Sequence, residues 1–63
     1  MEHQVYIARK ERRLTQKETA KRIGICEKTY QLKENGKREF SISEARKLAR
    51  IFNTSLDELF GGE

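Results

Sequence analysis

Three times in one short chain, Ser/Thr-x-x-Glu stands directly ahead of an apolar-periodic run: "TQKE" at residues 15–18, "SISE" at 41–44 and "SLDE" at 55–58. In this pattern the hydroxyl accepts the backbone N–H three residues on, and the glutamate reaches back to the N–H of the hydroxyl residue. Two donors that a helix start leaves orphaned are thus satisfied together. One match carries little weight. Three, each opening a segment of helical spacing, commit the chain to short helices joined by tight turns. Proline is absent, and Gly24 and Gly36 directly follow periodic segments, where a left-handed C′ residue ends a helix.

The periodicity predicts five helices. The first covers about residues 4–13, with Val5 and Ala8 inward and Leu14 anchoring the turn. The second covers about 16–23, with Ala20 and Ile23 on one side. The third, about 27–35, has Thr29 and Tyr30 on one face with the preceding Ile25, and Glu27, Lys28, Gln31 and Leu32 on the other. The fourth, 42–52, carries the stripe Ile42, Ala45, Leu48, Ala49, Phe52, and Asn53 can end it. The fifth, 56–60, carries Leu56, Leu59 and Phe60, and residues 61–63 are expected to fray. The link Gly24-Ile25-Cys26 is too short for a roomy antiparallel hairpin and fits two helices crossing steeply. With 63 residues the chain makes one all-α domain, 1–63. A chain of this size buries only about 60% of its unfolded surface, so good caps and a dimer contact both matter to it.

The single cysteine excludes an internal disulfide, and with one histidine it cannot supply a four-ligand zinc site within the chain. No apolar run approaches the ~18 residues of a membrane span, and no signal peptide is evident, so a cytoplasmic, reducing compartment is expected. No cofactor or small-molecule ligand is indicated. An enzyme is not expected, because no nucleophile with a nearby base, metal set or phosphate-cradling glycine loop is evident. The net charge of +4 is unevenly placed: residues 1–38 hold eleven Lys/Arg and five Glu, residues 39–63 three Lys/Arg and five Asp/Glu. An anionic partner for one side follows, nucleic acid first; a merely solvated surface is the alternative.

The stretch "LTQKETAKRIGICEKTYQLKENGKR" resembles the helix-turn-helix of the lambdoid phage repressor and Cro family, the Xre-like transcriptional regulators. The likeness rests on Thr15-Gln16 opening the second helix, Ala20 at the fifth motif position, Gly24 at the ninth, Ile25 at the tenth, and Glu34, Gly36 and Lys37 closing the third helix. "SISEARKLARIFNTSLDELF" is similar to the family's fourth and fifth helices. The resemblance implies a compact five-helix lambda-repressor-like fold whose third helix enters the major groove of double-stranded DNA. It implies a repressor or Cro-like switch protein that binds a near-palindromic operator as a homodimer. Separately from the resemblance, the C-terminal region around residues 52–60 is expected to join the two copies. A protein-interaction helix-turn-helix module and an antitoxin-type regulator are the alternatives.

Glu27, Lys28 and Leu32 align with the family's base-edge positions, and helical spacing adds Gln31. Lys28 can donate to guanine, Glu27 accept from cytosine, Gln31 pair with an adenine edge and Leu32 touch a thymine methyl. The family's counterpart of Gln16 bonds a phosphate and braces the recognition helix. Lys17, Asn35, Lys37 and Arg38 are further phosphate candidates, with Lys10, Arg13 and Lys21 behind them. Arg9 and Glu34 are implied to form a structural ion pair between the first helix and the end of the third.

The chain departs from the family at several positions. Thr19 and Lys33 occupy inward sites that are usually apolar. Thr19 can return its hydroxyl to a carbonyl one turn back. Lys33 can lay its stem along the core with its ammonium in water or near a phosphate. Cys26 replaces a Ser/Thr N-cap and caps poorly; a redox-sensing thiolate is the alternative to a tolerated small residue. Arg13 stands where glycine is common, which predicts strain in that turn. Phe40 is expected to pack against the fourth helix, and His3 needs no function.

Overall fold

The computed structural model describes residues 4–61, which form α1 (Gln4–Glu11), α2 (Gln16–Ile23), α3 (Glu27–Glu34), α4 (Ile42–Ile51) and α5 (Leu56–Phe60), with no strand among them. His3, Gly62 and Glu63 lie outside the described residues. α2 and α5 have the expected bounds; α1, α3 and α4 stop one or two residues early. One kind of closure ends α1–α4. Each is followed by a residue of positive φ: Arg13 (58°), Gly24 (84°), Gly36 (84°) and Asn53 (55°). The next N–H then turns back on a carbonyl of the helix: Leu14 on Arg9 at 3.2 Å, Ile25 on Ala20 at 3.0 Å, Lys37 on Leu32 and Thr54 on Ala49 at 2.9 Å. This Schellman closure satisfies carbonyls that the helix end would leave open.

The capping boxes of α2 and α4 form in full. The Glu18 N–H donates to Thr15 Oγ1 at 3.0 Å and the Thr15 N–H to Glu18 Oε1 at 3.1 Å. The Glu44 N–H donates to Ser41 Oγ at 3.2 Å and the Ser41 N–H to Glu44 Oε1 at 2.9 Å. At α5 only half of the box forms. The Glu58 N–H donates to Ser55 Oγ at 3.1 Å, but the Glu58 carboxylate takes the Thr54 hydroxyl instead of returning to Ser55.

α2 packs on α3, α1 on α5, and α4 on both α2 and α5. Between them lie Val5, Ala8, Ala20, Ile23, Tyr30, Leu48, Ala49, Phe52 and Leu59, with Leu14, Ile25, Phe40 and Ile51 packed against this core. Ala20 is small enough to let α2 and α3 close on each other. Leu48 and Phe52 are fully buried, each worth about 1.5–3 kcal/mol. Thr19 is also fully buried, and its hydroxyl donates to the Thr15 carbonyl at 2.9 Å.

Two expectations are corrected. Ile42 does not join the inward stripe: it opens α4 at the rim and is 72% exposed. The Lys33 ammonium does not lie in open water: its side chain is 12% exposed and it pairs with Glu44 Oε1 at 2.7 Å. Phe40 packs against the core to which α4 contributes Leu48 and Ala49, and it also meets the rings of Tyr30 (5.8 Å) and Phe60 (5.9 Å). No described helix is long and apolar enough to cross a membrane.

Candidate nucleic-acid interface

Gly24, Ile25 and Cys26 turn the chain from α2 into α3, and Ile25 and Tyr30 anchor α3 inward. That anchoring fixes what α3 presents outward. Glu27 and Lys28 are exposed in its first turn, and Gln31 and Leu32 follow, half-buried. The Gln31 amide donates to the Glu27 carboxylate at 3.4 Å, so the two brace each other over one helical turn. The four expected base-reading residues therefore share one face, the two N-terminal ones projecting furthest.

A buried network sets the angle of that face. Arg9 on α1 donates through Nε to Glu34 Oε2 at 2.8 Å, through Nη2 to Oε1 at 3.3 Å, and through Nη1 to the Leu14 carbonyl at 2.7 Å. Gln16 on α2 donates to Glu34 Oε1 and the Tyr30 hydroxyl to Oε2, both at 2.7 Å. One carboxylate at the last turn of α3 thus gathers donors from α1, α2 and α3 itself. Burial pushes the Glu34 carboxyl up, but the Arg9, Gln16 and Tyr30 hydrogen bonds outweigh it and hold the carboxyl below its usual range. Burial and then the adjoining Glu34 push the Tyr30 phenol well above its ordinary value. Among the described residues, no buried side-chain nitrogen or oxygen lacks a partner.

The expected phosphate residues fall on two flanks of α3. On one, the end of α1 and the start of α2 form an open hollow of about 470 Å³ that Lys10, Arg13, Gln16 and Lys17 line beside Glu27. Lys10 and Arg9 also lie near the Tyr6 ring, at 5.9 and 5.4 Å from its centroid. On the other flank, Asn35, Lys37 and Arg38 are exposed in the turn that leaves α3. Lys21 is exposed on α2 and does not line the hollow.

The helix-turn-helix family model matches residues 5–59, nearly the whole described chain. The chain belongs to the helix-turn-helix family. This is a family of DNA-binding domains, not of enzymes. Two proteins of Archaeoglobus fulgidus, each named an uncharacterized HTH-type transcriptional regulator, are 40% identical to it over 47 residues. The matched stretch is 75% of this chain and 66% or 67% of theirs, so the chain spans about two thirds of the length of these relatives. No solved structure matches it.

Beside the helix-turn-helix lies a second surface, an apolar groove of about 570 Å³ lined by Phe40, Ile42, Ala45, Leu56, Leu59 and Phe60. Ile42, Leu56 and Phe60 are exposed there, whereas Phe52 is fully buried and cannot belong to a contact surface. Cys26 is exposed at the start of α3 and makes no side-chain capping bond. Its thiol shares a hydrogen bond with the Thr29 hydroxyl at 3.0 Å, which, with nearby backbone N–H groups, holds it below its ordinary value. Sequence reasoning missed two contributors to the helix-turn-helix. The Tyr30 hydroxyl was legible from its spacing of four to Glu34. The Lys33–Glu44 pair joins separate helices and leaves no local signal.

Proposed function

We propose that this chain is a sequence-specific DNA-binding transcriptional regulator, a repressor or Cro-like switch protein that binds a near-palindromic operator as a homodimer. The observation that carries this reading is the outward face of α3. Glu27 and Lys28 project from its first turn, Gln31 and Leu32 extend the face, and exposed cations stand on both sides. In this reading α3 enters the major groove and these four residues meet base edges. Lys17, Lys37 and Arg38, with the Asn35 amide, grip phosphates and set the register. Gln16 presents its backbone N–H at the α2 terminus to a phosphate while its side chain holds Glu34.

The homodimer reading is supported by size and by the apolar groove. The longest dimension of the described residues is 28 Å, less than the ~34 Å between successive major-groove faces, so one copy cannot read two half-sites. Ile42, Leu56 and Phe60 offer a C-terminal apolar surface on which a second copy can pack.

Selection from a random duplex DNA pool at ~150 mM salt tests this function, because non-specific phosphate binding is already weak there. An enriched inverted repeat with half-sites one helical turn apart is the expected result. A pool that stays random would overturn sequence-specific reading by this chain, and an enriched site without symmetry would overturn the dimer.

A further inference from the structure

The loop between α3 and α4 carries Lys37 and Arg38. It leaves α3 through Gly36, whose N–H donates to the Lys33 carbonyl at 3.1 Å. It enters α4 at Ser41, whose N–H donates to Glu44 Oε1 at 2.9 Å. The same oxygen accepts the Lys33 ammonium at 2.7 Å. Lys33 therefore closes this loop at both ends. Its carbonyl holds the first turn, and its side chain, through one shared carboxylate oxygen, holds the last. The Lys33 and Glu44 side chains are 12% and 14% exposed, deep enough for salt to screen them less than a surface pair. An apolar side chain at position 33 would fill the same seam between α3 and the core. It would not reach across the loop to α4.

We propose that the Lys33–Glu44 pair is a positioning clasp for DNA binding, fixing where Lys37 and Arg38 present their charges relative to the base-reading face of α3. The proposal rests on the reading of Lys37 and Arg38 as phosphate contacts. Neither Lys33 nor Glu44 touches DNA in this scheme; both act through the loop that they close.

The test measures affinity for a short mixed-sequence duplex over a range of salt concentrations, with thermal unfolding of each variant alongside. Lys33→Met keeps the bulk of the stem, and Glu44→Gln keeps a side chain able to complete the α4 capping box. Together they remove both charges and leave no half-buried ion without a partner. The double variant is expected to unfold cooperatively, yet its plot of log affinity against log salt is shallower than the parent's by about 1 to 2, since each lost phosphate contact removes about 0.9. Lys33→Arg, which keeps a cation within reach of Glu44, retains the parent slope. The Lys37→Ala/Arg38→Ala variant, with the clasp intact, loses about 2 from the slope.

If the double variant folds and keeps the parent slope while Lys37→Ala/Arg38→Ala loses it, the clasp is overturned and the phosphate reading stands. A parent slope in Lys37→Ala/Arg38→Ala overturns both. Should the double variant not fold, Lys33→Met alone, which opens the clasp and leaves Glu44 its capping bond from the Ser41 N–H, takes its place with the same two outcomes.

Discussion

Arg9 Nε donates to Glu34 Oε2 at 2.8 Å across 25 residues of sequence, with the two side chains 8% and 2% exposed. The pair ties α1 to the last turn of α3, and Gln16 and Tyr30 complete it. Arg9→Ala leaves the carboxylate buried without a countercharge. Breaking a buried pair in this way costs about 3–5 kcal/mol, a large share of the ~5–15 kcal/mol that holds a typical domain folded. Denaturant unfolding of Arg9→Ala should show that loss, with weaker DNA binding beside it. Weakened binding with an unchanged unfolding midpoint would contradict the structural role.

The same network sets a pH window. Burial pushes the Glu34 and Glu44 carboxyls up, but their hydrogen bonds, from Arg9 first at Glu34 and from Lys33 first at Glu44, hold both below the usual range. The stability they add is present in full above the unfolded carboxylate value of about 4.3 and is lost as pH falls through the lowered folded values. Tyr30, raised by burial and then by Glu34, works in the opposite direction. Its contribution is complete below the unfolded tyrosine value of about 10 and is lost as pH rises from there toward the folded value. Melting temperature should therefore hold a plateau between about pH 5 and 9. Glu34→Gln should flatten the acid limb and Tyr30→Phe the alkaline limb. An acid limb that Glu34→Gln leaves untouched would count against this assignment.

Cys26→Ser should stabilise the fold. The thiol makes no capping bond, and a serine at the same backbone position can accept the Thr29 N–H. A gain of about 0.5–1 kcal/mol is expected, read from chemical unfolding. A serine variant that unfolds earlier would mean that the contact between the thiol and Thr29 outweighs a cap.

Arg13→Gly should also stabilise. Arg13 takes φ 58° to close α1, a left-handed conformation that costs a residue with a Cβ about 1–2 kcal/mol and glycine almost nothing. The greater freedom of glycine in the unfolded chain takes back roughly half of that, for a net gain of about 0.5–1 kcal/mol. A fall in the unfolding midpoint would show that the Arg13 side chain contributes more than its backbone strain costs.

Lys28→Ala should relax sequence preference as well as affinity. A lost contact to guanine removes about 1–3 kcal/mol of discrimination at one operator position. Repeating the duplex selection with this variant checks it, with one position of the enriched site becoming degenerate. Lys37→Ala, in contrast, should weaken all sequences alike.

Helix ends are legible in this sequence because near neighbours set them. Thr15 with Glu18, Ser41 with Glu44, and Gly24 carry their whole message within a few residues. The last box misleads at Glu58 because Thr54, one residue upstream of the cap, offers its carboxylate a competing donor. Ile42 satisfies the α4 periodicity yet faces outward, since a helix pattern does not say how far the covering elements extend. Lys33 and Glu44 meet only once α3 and α4 are placed, and nothing in either segment announces the other. The candidate interface divides in the same way. The outward face of α3 follows from spacing, and the bracing of α3 by Gln16 came from the family resemblance, whereas its partner Glu34 and the polar hollow around Lys10 and Arg13 needed the fold.

The central claim is that the outward face of α3 reads DNA. The most direct test is an amide chemical-shift map of isotope-labelled protein titrated with the enriched duplex. The account predicts that the largest changes fall on Glu27, Lys28, Gln31 and Leu32, flanked by Gln16, Lys37 and Arg38. Changes concentrated around Ile42, Leu56 and Phe60, with α3 silent, would contradict it.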